Sequence, residues 1–190
     1  DNNDHYDIGE IVKGIKNRDI YESFFMKEVS AMMDSPDMDL PVTEKTKSRI
    51  VEWAKESVLK LSDGEPIYFW RETLGLMLSG EFEIPAEKLL SLLSYGSYKI
   101  YRKDFDEYYS REYSLFKYIK ERVDSMTLAP KVIEKLRENI DNEEYSLLYS
   151  FLNYIIENQI EEGYSLVLRF ALSGYSLSTN VMEALVKKGM

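Results

Sequence analysis

One histidine and no cysteine leave this 190-residue chain with carboxylates, hydroxyls and amines as its chemical groups. General acid–base work near neutral pH most often uses histidine. His5, alone in the polar stretch Asp1-Asn2-Asn3-Asp4-His5, reads as a solvated terminal residue. The lack of cysteine excludes disulfides, thiolate zinc sites and cysteine nucleophiles. Asp34, Asp37 and Asp39 offer oxygen atoms to Ca²⁺ or Mg²⁺, but their spacing is not that of an EF-hand, and no glycine or distal bidentate glutamate completes it. They read as a solvated loop. The pairs Glu143–Glu144 and Glu161–Glu162 lie at expected helix starts, where carboxylates complement the positive end of the helix dipole. Neither a phosphate loop nor a G-x-G-x-x-G cradle occurs. No catalytic residue, metal ligand or cofactor is therefore assigned.

The densest chemistry lies between Tyr95 and Tyr118, which hold seven of the fifteen tyrosines. From Lys99 to Arg122, seven basic residues (Lys99, Arg102, Lys103, Arg111, Lys117, Lys120, Arg122) interleave with five acidic ones, leaving +2 locally in a chain of formal charge −10. Aromatic rings among cations stack bases and neutralise phosphates; they also suit protein interfaces, where Tyr and Arg are favoured. The plain alternative is a core of rings with a solvated charged face.

Asp104 with Glu107 has the capping-box spacing for a helix from Phe105 to about Val123. On a wheel advancing ~100° per residue, Glu112 falls amid an apolar face of Phe105, Tyr108, Tyr109, Phe116, Ile119 and Val123. A buried carboxylate needs a partner. Arg71, inside the apolar stripe of a helix opening at Pro66, is the first choice. Glu112 then either fixes two packed helices by an ion pair or lines a binding groove beside Tyr108 and Tyr113. Arg71, Tyr108, Glu112 and Tyr113 are the candidate binding residues.

The acidic surplus disfavours nucleic acid and favours at most a basic partner. No apolar run approaches the ~20 residues of a membrane span. The polar start is no signal peptide. Lacking an initial methionine, the chain reads as a piece of a longer cytoplasmic protein, recognising a protein partner or another domain of its own chain.

Helical periodicity runs nearly end to end. Expected helices cover Ile8–Lys16, Asp19–Met33, Glu44–Leu61, Pro66 to Gly80, Pro85 to Gly96, Phe105–Val123, Pro130 through Ile140, Asp141–Glu157, Tyr164–Leu172 and Thr179–Lys188. Tyr164–Leu172, apolar nearly all round, is expected to be the most buried. Asp141 with Glu144 is read as a second capping box. Strand content is expected near zero; Ser97–Lys103 can extend but has no evident partner.

Leu78-Ser79-Gly80 returns as Leu172-Ser173-Gly174 ninety-four residues on, with Leu74 matching Leu168 and Met77 matching Ala171. At ninety-three residues, Leu89 matches Met182, Leu92 matches Leu185 and Gly96 matches Gly189. Gly80 and Gly174 are expected at positive φ, stopping equivalent helices. Helix pairs of about 47 residues and three-helix units of about 94 both remain open.

This pattern, Leu78-Ser79-Gly80…Leu89…Leu92-Leu93…Gly96, resembles HEAT-like α-solenoids. The resemblance implies one all-α domain over residues 1–190, with about ten helices in stacked antiparallel hairpins forming a right-handed solenoid segment. It also implies a non-enzymatic scaffold or protein-binding role and brings no catalytic residues. Two other classes stay open. An acidic inhibitor or immunity protein would be steered to a basic target such as a nuclease. An α-helical enzyme would use carboxylates and tyrosines.

Overall fold

Thr43 shows why the first long helix begins where it does: its hydroxyl accepts the Thr46 N–H at 3.2 Å, satisfying one of the donors a helix start leaves open. The computed structural model describes residues 29, 31–32, 43–62, 71–103, 110–142, 147–173 and 177–189. Its elements are α1 (Glu44–Lys60), α2 (Arg71–Leu78), α3 (Ala86–Ser91), a 3₁₀ turn (Leu93–Tyr95), β1 (Lys99–Lys103), β2 (Ser110–Ser114), α4 (Leu115–Arg122), α5 (Ser125–Asp141), α6 (Leu148–Glu157), a 3₁₀ turn (Glu161–Gly163), α7 (Tyr164–Leu172) and α8 (Thr179–Lys187). Residues 29, 31 and 32 are also helical. The chain is mostly helical and divides into two compact units, residues 1–118 and 119–190, with the boundary inside α4.

In the first unit α1 packs on α2, and α2 packs on β1. Ile50, Ala54 and Val58 form the inward stripe of α1, and Leu61, the residue that follows it, is also buried. In α2, Thr73, Leu74, Leu76, Met77 and Leu78 are all fully buried, and each large apolar side chain contributes about 1.5–3 kcal/mol on leaving water. Gly80 ends this helix at φ +91°. Its N–H reaches Met77 O at 3.0 Å and the Glu81 N–H reaches Leu76 O at 3.1 Å, the two bonds of a Schellman stop. Gly75 faces the approach to β1: a Cβ there would meet the Tyr98 hydroxyl at 3.1 Å and Ile100 Cγ2 at an ordinary 4.0 Å.

β1 and β2 form an antiparallel two-stranded sheet pairing Lys99↔Ser114, Ile100↔Tyr113, Tyr101↔Glu112, Arg102↔Arg111 and Lys103↔Ser110. The Leu115 N–H to Tyr98 O (2.8 Å) and Phe116 N–H to Gly96 O (3.1 Å) carry the pairing into α4.

In the second unit α6 is central, touching α5, α7 and α8. Leu148, Phe151, Leu152, Tyr154 and Ile155 are its buried face. Asp124 caps α5, accepting the Thr127 N–H at 2.9 Å and the Thr127 hydroxyl at 2.6 Å. Lys188, just past α8, pairs with Glu161 at 3.0 Å and lies 5.3 Å from the centre of the Tyr164 ring. That clasp ties the end of α8 to the start of α7.

Several expectations are corrected. Residues 110–114 are a strand, so the helix expected from Phe105 begins at Leu115, and strand content is not near zero. Ser97–Lys103 does extend over Lys99–Lys103, and its partner is the stretch read as helical. α5 starts at Ser125 rather than Pro130, which sits inside it. Asp141 ends α5 rather than capping α6, which starts at Leu148. Among the described residues the most buried helix is α2. α7 leaves Ser165, Arg169 and Leu172 in solvent, a stripe at i, i+4, i+7. Gly80 has the expected positive φ, but Gly96 is right-handed helical (φ −56°) while its counterpart Gly189 has φ +75°. Gly174, the helix Ile8–Lys16, Pro66, the Asp104–Glu107 capping box, and the acidic residues Asp34, Asp37, Asp39, Glu143 and Glu144 lie outside the described residues.

Candidate functional site

Of the four candidate binding residues, Arg71 is the first residue of α2 and Glu112 stands in β2 opposite Tyr101. Tyr108 lies outside the described residues. Extended backbone alternates its side chains rather than turning them ~100° per step, so the helical wheel that put Glu112 in an apolar face does not apply. Tyr113 is core: it is buried, edge-on to Tyr118 with ring centres 6.3 Å apart, and Lys117 Nζ lies 5.3 Å from its ring centre. Phe116, Ile119 and Val123 do form the buried face of α4.

The cationic tyrosine-rich stretch is thus divided. Tyr95, Tyr113 and Tyr118 are buried, and the Tyr95 hydroxyl donates to Ser62 O at 2.7 Å. The ten strand residues carry four cations (Lys99, Arg102, Lys103, Arg111) against the single carboxylate of Glu112. At one register position Arg102 directly faces Arg111.

A second surface went unread in the sequence. Leu172 is 78% exposed, Val186 68% and Met182 48%. Met182 and Val186 are one turn apart on α8 and share a face. Their counterparts at the recurring spacing, Leu78 for Leu172 and Leu89 for Met182, are buried. The period of α8 alone would have found the stripe, because Val181 and Leu185 already supply a core-facing pair and leave Met182 and Val186 turned away.

The titratable groups are tuned by local partners. Thr127 holds the Asp124 carboxyl below its ordinary value through side-chain and backbone hydrogen bonds. The hydrogen bond from Lys131 does the same for Glu134. Glu161 raises the Lys188 ammonium. Burial, helped by the charge of Asp124, pushes the Tyr154 phenol up. Lys120 sits 5.8 Å from the Tyr154 ring centre and 3.2 Å from Glu157, which is an ion pair at the surface rather than a pocket. An open groove of about 480 Å³ runs along α1 past Glu44, Lys47, Ser48, Val51, Glu52 and Lys55, with Glu81, after α2 in the chain, also lining it. Its lining mixes three carboxylates with two ammonium groups. Among the described residues no three of His, Cys, Asp and Glu are placed to hold a metal ion, and no helix is long and apolar enough to cross a membrane. Comparison with protein families, curated proteins and solved structures finds no match for this chain.

Proposed function

We propose that this chain is a non-enzymatic protein–protein interaction module, a helical scaffold segment that binds its partner through α8 and the end of α7. One observation carries the reading: Leu172 and Met182 face solvent at positions whose counterparts Leu78 and Leu89 are buried. In the first unit α1 and β1 cover α2; the exposed leucine, methionine and valine of the second unit are apolar surface of the kind a partner covers. Isolated exposed apolar residues are ordinary. Met182 and Val186 on one helical face of α8, together with Leu172 at 78% exposure at the end of α7, support a contact.

The test is a proximity-crosslinking comparison in the native host between wild type and a Leu172→Glu, Met182→Glu, Val186→Glu triple variant. Specific crosslinks to one protein, lost in the triple variant while its melting temperature holds, support the reading. An unchanged crosslinking pattern overturns it.

A further inference from the structure

α8 buries Val181 and Leu185 against its own unit and turns a second stripe, Met182 and Val186, to solvent. At ~100° per residue, Val186 lies about 40° round the helix from Met182, and Gly189 about 20° round the other way. Gly189 still belongs to the last turn, since its N–H bonds Val186 O at 3.0 Å. Among the described residues, a Cβ placed on Gly189 would meet no heavy atom within 4 Å. The stripe therefore has an open notch at one end. Glu183 and Lys187 are also exposed; they lie about 100° and about 140° round from Met182 and form one edge of the stripe.

From this arrangement we infer that α8 docks on the α8 of a second copy of this chain, antiparallel to it about a two-fold axis. The inference rests on the reading of α8 as a contact face and names what covers it. In a two-fold contact residue i meets residue j and j meets i, and an axis set across both helices brings the same edge of each together. Three pairings follow. Met182 enters the notch at Gly189 of the second copy, Glu183 meets its Lys187, and Val186 packs on its own counterpart. The midpoints of all three pairings fall between Leu185 and Val186, so one register makes them together. The edge carries one charge of each sign, which a second copy running the other way answers in full. A purely acidic or purely basic partner answers only half of it. α8 has nine residues and is ~14 Å long, so the contact lies at the small end of interface sizes and is weak. Each copy carries a formal charge of −10, a repulsion screened within about 8 Å at physiological salt.

Sedimentation equilibrium at physiological salt, from about 1 µM to about 1 mM chain, provides the test. Wild type is expected to show a monomer–dimer equilibrium within that range. Glu183→Lys and Lys187→Glu each turn two attractions into two repulsions and are expected to weaken the dimer about tenfold. The double swap of Glu183→Lys with Lys187→Glu rebuilds both pairs and is expected to return to within about threefold of wild type. Met182→Glu, which sets a carboxylate at the notch, is expected to leave only monomer. Met182, Glu183 and Lys187 are all exposed, so a melting temperature near that of wild type certifies each variant as folded. Wild type that stays monomeric to the top of the range overturns the inference. So do single swaps without effect, a double swap that fails to restore association, or a dimer that survives Met182→Glu. The α8 reading fails separately, by an unchanged crosslinking pattern in the triple variant at Leu172, Met182 and Val186. A monomeric protein that still loses its crosslinks in that variant keeps the α8 face and rules out a second copy as its occupant.

Discussion

The helix pair α2–α3 in the first unit and the pair α7–α8 in the second share sequence spacing and differ in what covers them. α2 packs on α1 and on β1, and Leu74, Leu76, Met77 and Leu78 are fully buried. α7 buries Tyr164, Leu166, Val167 and Phe170 and leaves its last residue in water. One leucine-serine pattern thus closes a finished core in one place and an open edge in the other. A recurrence in sequence does not carry its environment with it; burial depends on the elements that arrive from elsewhere in the chain. Exposed Leu172 has meaning because Leu78 shows how such a position looks when covered.

The sharpest way to break this contrast is to truncate both leucines. Leu78→Ala is expected to cost about 2–5 kcal/mol, the transfer of the lost methyl groups plus the cavity left behind. Leu172→Ala is expected to stay within about 0.5 kcal/mol, as surface substitutions do. Urea unfolding of the two variants measures both, and equal losses would mean that Leu172 is covered in solution.

Close approaches differ between the units too. At Gly163 an added Cβ would meet Ile155 side-chain carbons at 2.7 and 2.8 Å. Gly163→Ala should therefore destabilise the second unit by about 1–3 kcal/mol through overpacking. At Gly75 the obstacle is only the Tyr98 hydroxyl at 3.1 Å. That atom ends a long side chain, and alanine gains helix propensity of about 1 kcal/mol over glycine, so Gly75→Ala is expected near neutral. Thermal melts rank the pair, and a Gly75→Ala loss matching that of Gly163→Ala would show that Tyr98 cannot give way. Gly80→Ala falls between them: φ +91° costs a residue with a Cβ about 1–2 kcal/mol.

What could be read from the sequence divides along the same physical line. α1, α8 and the Gly80 stop were legible because their signals are local: an apolar period and a glycine after the last turn. The hairpin was not. Ser110-Arg111-Glu112-Tyr113-Ser114 has one strong strand former, Tyr113, and its extension is set by pairing with β1 and by β1 docking on α2. Pro130 misplaced the start of α5 because proline is read as a first-turn residue. The better signal was Asp124, three residues before Thr127, whose N–H it caps. The Asp141–Glu144 spacing resembled a cap only because Asp141 belongs to the last turn of the preceding helix. Of the candidate site, the cation-rich stretch was visible as composition. The opposition of Arg102 to Arg111 required the register.

The smallest effect expected comes from the two longest described helices, α1 and α5, each of 17 residues and each in a different unit. α1 is capped by the hydroxyl of Thr43, which does not titrate in this range. α5 is capped by the carboxylate of Asp124, held below its ordinary 3.8 by Thr127. A carboxyl depressed in the folded state stabilises it fully above the unfolded value, and that contribution is lost as pH falls through the folded value. As pH drops from about 7 to about 3, hydrogen exchange should therefore loosen the first turn of α5 before the first turn of α1. Asp124→Asn keeps a good cap and removes the titration, so the first turn of α5 should then follow α1. Glu134, lowered by Lys131, sits farther along α5 and leaves a small acid dependence in that variant. If α1 and α5 loosen together in wild type and variant alike, Asp124 does not set the acid response of the second unit.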